Sequence, residues 1–265
     1  MSEHHQNSQS TLVMKFGGAA VATPEHFSRI ADIIIAKMKE HPRIVTVVSA
    51  MGNTTDQLIA LAKQVNPDPP RREYDMLVTV GERISIALLA MALAKKGCEA
   101  RSFTGSQSGI ITCSRHTDAR IIDVRPHRIL PVLADGKVAI VAGFQGVSRG
   151  GEITTLGRGG SDTTAVALGV ALNSTKVEFF KDVPGVFNAD PKKNSAASMY
   201  THLSHGEALK IVLEGAKVLH PRCIELAQKN QLMLHVRTFQ ELGSQGTLIG
   251  KEREVVGLPC YEDET

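Results

Sequence analysis

The chain has no tryptophan, and aromatic residues make up only 4% of it. That leaves little material for the stacked aromatic platforms that bind single-stranded nucleic acid. Four cysteines, Cys98, Cys113, Cys223 and Cys260, form no C-x-x-C pair and have no suitably spaced histidine. This excludes a sequence-evident zinc site or disulfide framework and suits free thiols in a reducing cytoplasm. No uninterrupted apolar run reaches the roughly 20 residues of a membrane span. The first ten residues, MSEHHQNSQS, lack the apolar segment of a signal peptide and read as a disordered leader (1–10), with His4 and His5 incidental to it. Both familiar phosphate loops, G-x-G-x-x-G and G-x-x-x-x-G-K-[ST], are missing, which argues against a P-loop or dinucleotide-binding protein.

What is present is an α/β chain. Of 265 residues, 42% are hydrophobic, enough for a substantial core, and the net charge of +3 comes from scattered basic residues. That balance describes a mixed solvated surface and is compatible with anionic metabolites. Strand patterns at TLVMKF, RIVTVVSA, EARSF, KVAIVAGF, KVEFF, LMLHVRT and GTLIG alternate with helical ones. The spacing predicts helices over 25–40, with Pro24 at the first turn, over TDQLIALAKQV, over Tyr74–Lys96 closed by Gly97, and over SDTTAVALGVAL with Ser161 as its N-cap. This order implies a mostly parallel sheet with helices on both faces and no internal repeat.

Ligands of such sheets sit beyond the carboxyl ends of the strands, and four segments there combine small residues with charge. Lys15, Gly17 and Gly18 end the first strand. The glycines let backbone amides approach an anion, and the lysine can follow a phosphoryl group; a snorkelling lysine beside an ordinary turn is the plainer alternative. In VVSAMGNTTD, Ser49, Thr54 and Thr55 offer hydroxyls, or simply caps. In DMLVTVGERIS, Glu82 and Arg83 interrupt an apolar helix. A buried charge there must be paired or used, so Glu82 either holds an ammonium group or forms an internal ion pair with Arg83 or another arginine. In TTLGRGGSDTTAVAL, Arg158 sits in a glycine loop that feeds a helix N-terminus, an arginine fork beside oriented amides.

Taken in order, KFGG, VVSAMGNTTD, YDMLVTVGERISIALLAMAL, SFTGSQSGI, ARIIDV, IVAGFQGV, TTLGRGGSDTTAVAL, KDVPGVFNADP and GAKVLHPR resemble the blocks of the amino acid kinase superfamily and, within it, of the aspartokinases, over about residues 12–250. The resemblance implies a three-layer αβα sandwich with a mostly parallel central sheet. It implies an amino acid kinase domain over 11–250, an amino-acid lobe followed by a nucleotide lobe. It further implies ATP, with Mg2+ bridging its phosphates, and transfer of a phosphoryl group to the side-chain carboxylate of L-aspartate, the step toward lysine, threonine, methionine and diaminopimelate. Carried over residue by residue, Lys15 would reach the transferring group and Gly17 and Gly18 would cradle it. Asp162 would orient Lys15 or face the metal-bound phosphates. Ser49, Thr55, Glu82, Arg158, Gly159, Gly160 and Ser161 would bind the amino acid, Glu82 at its ammonium and Arg158 at a carboxylate. Lys181, Asp182, Phe187, Lys192, Lys217 and Val218 would serve the nucleotide. A cytoplasmic homodimer without nucleic-acid or membrane partners is the corresponding expectation.

Three departures stand out. Ala19 and Ala20 replace two hydroxyl residues usual after K-F-G-G, Phe187 a usual tyrosine, and Lys192 a usual arginine. After GTLIG, residues 251–265 form a tail too short for the two effector-binding ACT domains of typical relatives, so an enzyme without feedback by lysine or threonine is expected. A kinase of another small acid, or a ligand-binding pseudokinase that regulates a partner, is the competing reading.

Overall fold

The computed structural model describes residues 11–189, 191, 194, 196–241, 243–251 and 257–264. The expected leader (1–10) and Lys192 lie outside the described residues, as do 252–256 and Thr265 of the tail. The amino-terminal part runs β1 (Thr11–Phe16), α1 (Pro24–Met38), β2 (Arg43–Val48), α2 (Thr54–Val65), α3 (Arg71–Val78), α4 (Val80–Lys95), β3 (Ala100–Phe103), β4 (Ile110–Thr112), β5 (Ile121–Val124), α5 (Ile129–Ala134) and β6 (Val138–Ala142). It continues through β7 (Gln145–Ser148), β8 (Ile153–Thr155), α6 (Gly160–Ala171), β9 (Lys176–Lys181), β10 (His202–Leu203), α7 (His205–Leu213), α8 (Pro221–Lys229), β11 (Met233–Thr238) and β12 (Thr247–Ile249).

Eight strands form the central sheet in the order β10-β12-β11-β9-β1-β2-β6-β3. All its pairings are parallel except β11 with β12. Side chains alternate across a strand, and β1 shows the result. Leu12, Met14 and Phe16 enter a core with Phe27, Ile30, Ile34 and Leu89 of α1 and α4. Val13 faces the opposite core, with Ala165, Val166 and Leu168 of α6 and Ile224 of α8. Those two cores make the three-layer αβα sandwich that the sequence led us to expect. Lys15 keeps the same parity as Val13, so it points toward α6 rather than α1. A second sheet of four short strands, β5-β4-β7-β8, mixes parallel and antiparallel pairs; its strands are absent from those read in the sequence.

The long helix expected over Tyr74–Lys96 is two helices. Thr79 separates them because its carbonyl is engaged from outside the helix, accepting from Gln145 Nε2 at 3.1 Å. The stretch Arg71–Lys95 is long and apolar enough, by length and composition, to cross a membrane. Here α4 instead packs Ile86, Leu89 and Leu93 into the core against α1. Gly97, at φ 73°, ends it as expected: its amide donates to Ala94 and that of Cys98 to Leu93, a Schellman closure. Ser161 is not the N-cap of α6. Gly159 takes that place in the left-handed conformation (φ 74°), and Ser161 lies within the first turn.

Glu178 of β9 is the most enclosed carboxylate of the sheet. It is fully buried, with Lys176 Nζ at 2.8 Å, Arg237 Nη1 at 3.5 Å, His235 Nδ1 at 3.7 Å and Lys37 Nζ at 3.8 Å. Burial opposes its charge, yet the neighbouring His235 imidazole and the Lys176 and Lys37 ammoniums hold its carboxyl well below the usual range. Replacing it removes the buried counter-charge these groups share, a change that costs about 3–5 kcal/mol. A depressed carboxyl contributes stability above its unfolded pKa and loses it as pH falls. Chemical denaturation of Glu178→Ala should therefore show a loss of about 3 kcal/mol at pH 7 and a narrowing gap to the parent protein below about pH 4.

Candidate active site

The carboxyl ends of β1, β2 and β8 and the amino ends of α4 and α6 enclose a cleft of about 300 Å³. Lys15, Gly18, Ser49, Thr55, Glu82, Arg158, Gly159, Gly160, Ser161 and Asp162 all contribute to its wall, so ten of the residues selected from sequence meet in one place. A second cavity of about 520 Å³ adjoins it and shares Thr55, Phe144, Gly157 and Arg158.

At the floor, Lys15 is 5% exposed and its Nζ lies 2.5 Å from Asp162 Oδ1. Lys181, at the end of β9, reaches Asp162 Oδ2 at 3.1 Å. Asp162 therefore meets both lysines at the floor of the cleft. Burial pulls the Lys15 ammonium below its ordinary pKa, with Lys181 adding to the fall and Asp162 opposing it. Burial also disfavours the Asp162 carboxylate, but Lys15 and Lys181 together hold it down at about 2. The carboxylate is thus ionised and two lysines converge on it, a net positive focus. Gly17 comes close enough that a Cβ there would sit 3.6 Å from Lys15 Nζ, and at Gly18 one would press the Ala50 and Gly52 carbonyls at 3.1 and 3.2 Å. Ala20 is buried among the apolar residues beside α1, and Ala19 is exposed; neither lines the cleft.

Glu82 forms the opposite wall. Gly81 lets α4 approach closely, since a Cβ there would fall 2.7 Å from the Ala50 methyl. The approach lets Glu82 Oε1 accept from the Ala50 amide at 3.1 Å. Oε2 is buried without a hydrogen-bond partner, and Arg83 Nε likewise, so the internal Glu82–Arg83 pair envisaged from sequence does not form. Burial pushes the Glu82 carboxyl up to about 7 despite two backbone amides.

Arg158 is exposed at the rim, between Gly157 (φ 71°) and Gly159 (φ 74°). Asp75, fully buried on α3, fixes the loop's start: Oδ1 accepts from the Thr155 hydroxyl at 2.6 Å and Oδ2 from its amide at 3.2 Å. The same carboxylate holds the Thr117 amide and His116 Nδ1. A Cβ at Gly159 would lie 2.2 Å from the His220 ring, so glycine is required there by space as well as by φ. Burial and the Arg222 guanidinium keep the His220 imidazole below its ordinary pKa. Asp75 and His220 sit in quoted blocks but were not singled out from sequence. A buried acid in DMLVTV was the signal for the first; the second had none.

On the nucleotide side only Lys181 joins the central group, through Asp162. Asp182 is exposed in the loop after β9, Phe187 bridges to Met199, and Lys217 and Val218 lie between α7 and α8; none of the four lines either cavity. Among the described residues, no cluster of three or more His, Cys, Asp or Glu side chains is arranged to hold a metal ion.

A phosphate- and amino-acid-sized cleft at the carboxyl ends of a parallel sheet defines a small-molecule-binding α/β class, and comparison with known proteins makes it specific. The chain belongs to the Amino acid kinase family, whose pattern it matches over residues 10–238. It is 48% identical to the aspartokinase of Mycobacterium tuberculosis (strain ATCC 25618 / H37Rv) over 92% of this chain and 58% of that protein. The crystal structure of aspartate kinase from Synechocystis superposes with a TM-score of 0.85 at 40% identity, covering 96% of this chain and 42% of that one. Aspartokinase III of E. coli in complex with aspartate and ADP gives 0.82 at 27% identity, over 92% and 65%. The chain spans somewhat over half the length of the curated relatives it matches.

The buried Glu82 carboxylate, with only Oε1 hydrogen-bonded, makes the stability of the domain sensitive to pH. A carboxyl raised by burial takes up its proton on folding, so the fold loses stability as pH rises between the unfolded value, about 4.3, and the folded one, about 7. Glu82→Gln abolishes this. Its melting temperature relative to the parent should rise from pH 5 to pH 8, corresponding to about 2–3 kcal/mol at the upper end.

Proposed function

We propose that this domain phosphorylates the side-chain carboxylate of L-aspartate with ATP, giving 4-phospho-L-aspartate and ADP. The observation that carries the reading is the free, buried Oε2 of Glu82 in the same cleft as Arg158 and Lys15. An α-ammonium group would satisfy it, which favours an amino acid over a nucleotide monophosphate or a simple acid. Arg158, with the Gly159–Ser161 amides, then holds a carboxylate bidentately, and Ser49 and Thr55 supply hydroxyls. The E. coli neighbour was solved with aspartate and ADP, the ligand pair this reading requires.

The chemistry needs no general base. A carboxylate is already a nucleophile near neutral pH. One of its oxygens attacks the γ-phosphorus of ATP, the bond to the β-bridging oxygen breaks, and ADP leaves with that electron pair. Charge spreads over the transferring group, and catalysis rests on positioning and charge. Lys15, held by Asp162, meets the charge as it develops, and Lys181 flanks it. Gly17 and Gly18 supply amides. Magnesium belongs to the nucleotide substrate here, bridging its phosphates; the paired Asp162 suits holding lysines rather than the ion. Asp182, Phe187, Lys192, Lys217 and Val218 are proposed for the nucleotide. The product would enter lysine, threonine, methionine and diaminopimelate synthesis, in a cytoplasmic homodimer.

Incubation with MgATP, aspartate and hydroxylamine should yield aspartyl hydroxamate. ATP binding without product would instead favour the ligand-binding pseudokinase. Lys15→Ala should lower kcat by about 100- to 1000-fold, the scale for one transition-state charge contact, with little change in KM; a raised KM at unchanged kcat would reduce Lys15 to a ground-state binder.

Glu82→Gln and Arg158→Lys should each weaken aspartate by roughly 1–3 kcal/mol and leave ATP affinity unchanged. Equal losses for both substrates would refute the division of the cleft. Steady-state kinetics with each substrate varied in turn distinguishes the two.

A further inference from the structure

The segment 257–264, beyond the last strand, is bound to the body of the domain by specific contacts. Asn230 clasps Cys260 in both directions, donating to its carbonyl at 2.7 Å and accepting from its amide at 2.9 Å. Glu262 pairs with Ile121 of β5 in the same way: its amide donates to the Ile121 carbonyl at 2.9 Å, and its Oε2 accepts the Ile121 amide at 2.9 Å. Both carboxylate oxygens also face Arg222 of α8, Oε1 at 2.8 Å from Nε and Oε2 at 2.9 Å from Nη2. The pair is largely enclosed, each side chain little more than a tenth exposed. Such a fork is a strong and directional contact.

The other donors of Arg222 reach two segments, the loop before Arg158 and the turn before β5, where Nη1 also meets Asp118 Oδ1 at 3.4 Å. Nη2 donates to the Ala119 carbonyl at 3.0 Å, and Nη1 donates to the carbonyl of Leu156. Ala119 in turn donates its amide to Thr155 at 2.8 Å. Leu156 is two residues before Arg158, and the flanking Gly157 and Gly159 give that arginine no stiffness of its own. The loop is thus suspended between Asp75 on one side and Arg222 on the other, while His220, two residues before Arg222, presses on Gly159. Neither cavity touches Glu262 or Arg222.

We propose that Glu262 is a positioning residue for the amino acid substrate: by locking the Arg222 guanidinium it sets the Leu156 carbonyl and with it the placement of Arg158. This rests on the reading of Arg158 as the carboxylate ligand. It brings the carboxyl-terminal segment into the substrate-binding machinery, where the sequence suggested only a tail.

Glu262→Gln keeps the shape and removes the charge. In the hydroxamate assay it should raise the aspartate KM about tenfold, as expected for a misplaced ligand, with kcat and the ATP KM within about twofold. Hydrogen exchange at the amides of 155–161 should accelerate while the central strands keep their protection. Arg222→Lys should behave similarly, and the double variant should be no worse than the poorer single one, since both break one chain of contacts. Asp263→Asn, at an exposed residue of the same segment that pairs with Lys229 of α8, should leave every parameter unchanged. An unchanged aspartate KM in Glu262→Gln overturns the proposal, as does a parallel rise of both KM values with a fall in melting temperature, the mark of a merely structural staple. If the parent protein makes no hydroxamate, the proposed function fails by itself. Exchange at 155–161 then decides the clamp: acceleration in Glu262→Gln upholds it, and parental rates overturn it.

Discussion

Asp162 lies in the first turn of α6 and binds two lysines that arrive from two strands, Lys15 from β1 and Lys181 from β9. Taking three charges out of water is costly unless each finds a partner, and here one carboxylate serves two ammoniums. The arrangement leaves a surplus positive charge in a low-dielectric site, which is what a transferring phosphoryl group requires. It also fixes α6 against the middle of the sheet, so the helix that closes the floor also brings Gly160, Ser161 and Asp162 to the wall of the cleft. The geometry depends on parity in β1. A one-residue slip would turn Lys15 toward α1 and bring Met14 or Phe16 to the cleft.

The rest of the site consists of close approaches to this floor. Gly81 brings α4 against Ala50, Gly18 brings the first turn against the Ala50–Gly52 backbone, and Gly143 gives Ser161 room, since a Cβ there would sit 2.6 Å from the serine side chain. Each is a place where a methyl group would widen the cleft. Glycine costs conformational entropy on folding, and the cores beside α1 and α6 supply the burial that offsets it.

Much of this was legible in the residues. The alternation of strand and helix, the buried parallel strands and the end of α4 at Gly97 follow from local patterns. The four charged segments could be selected because each sets charge among small residues at a strand end. What escaped has physical reasons. The strands β4, β5, β7 and β8 are only three or four residues long, too short for a period of two to develop. The break at Thr79 comes from a side chain 66 residues away, which no local window contains. Ser161 looked like a cap because its type favours one, yet the left-handed Gly159 starts the helix two residues earlier. The grip of Arg222 on Glu262 joins residues 40 apart in sequence, beyond any local window.

Glu82 has a consequence outside kinetics. With its carboxyl pushed up to about 7, Glu82 is divided at neutral pH between protonated and ionised forms. A cation placed against Oε2 selects the ionised form, so binding expels a fraction of a proton into the medium. The heat of ligand binding then includes the heat with which the surrounding buffer takes up that proton. Two buffers of different ionisation enthalpy would report different apparent heats for the same contact, and the difference counts the protons that leave Glu82.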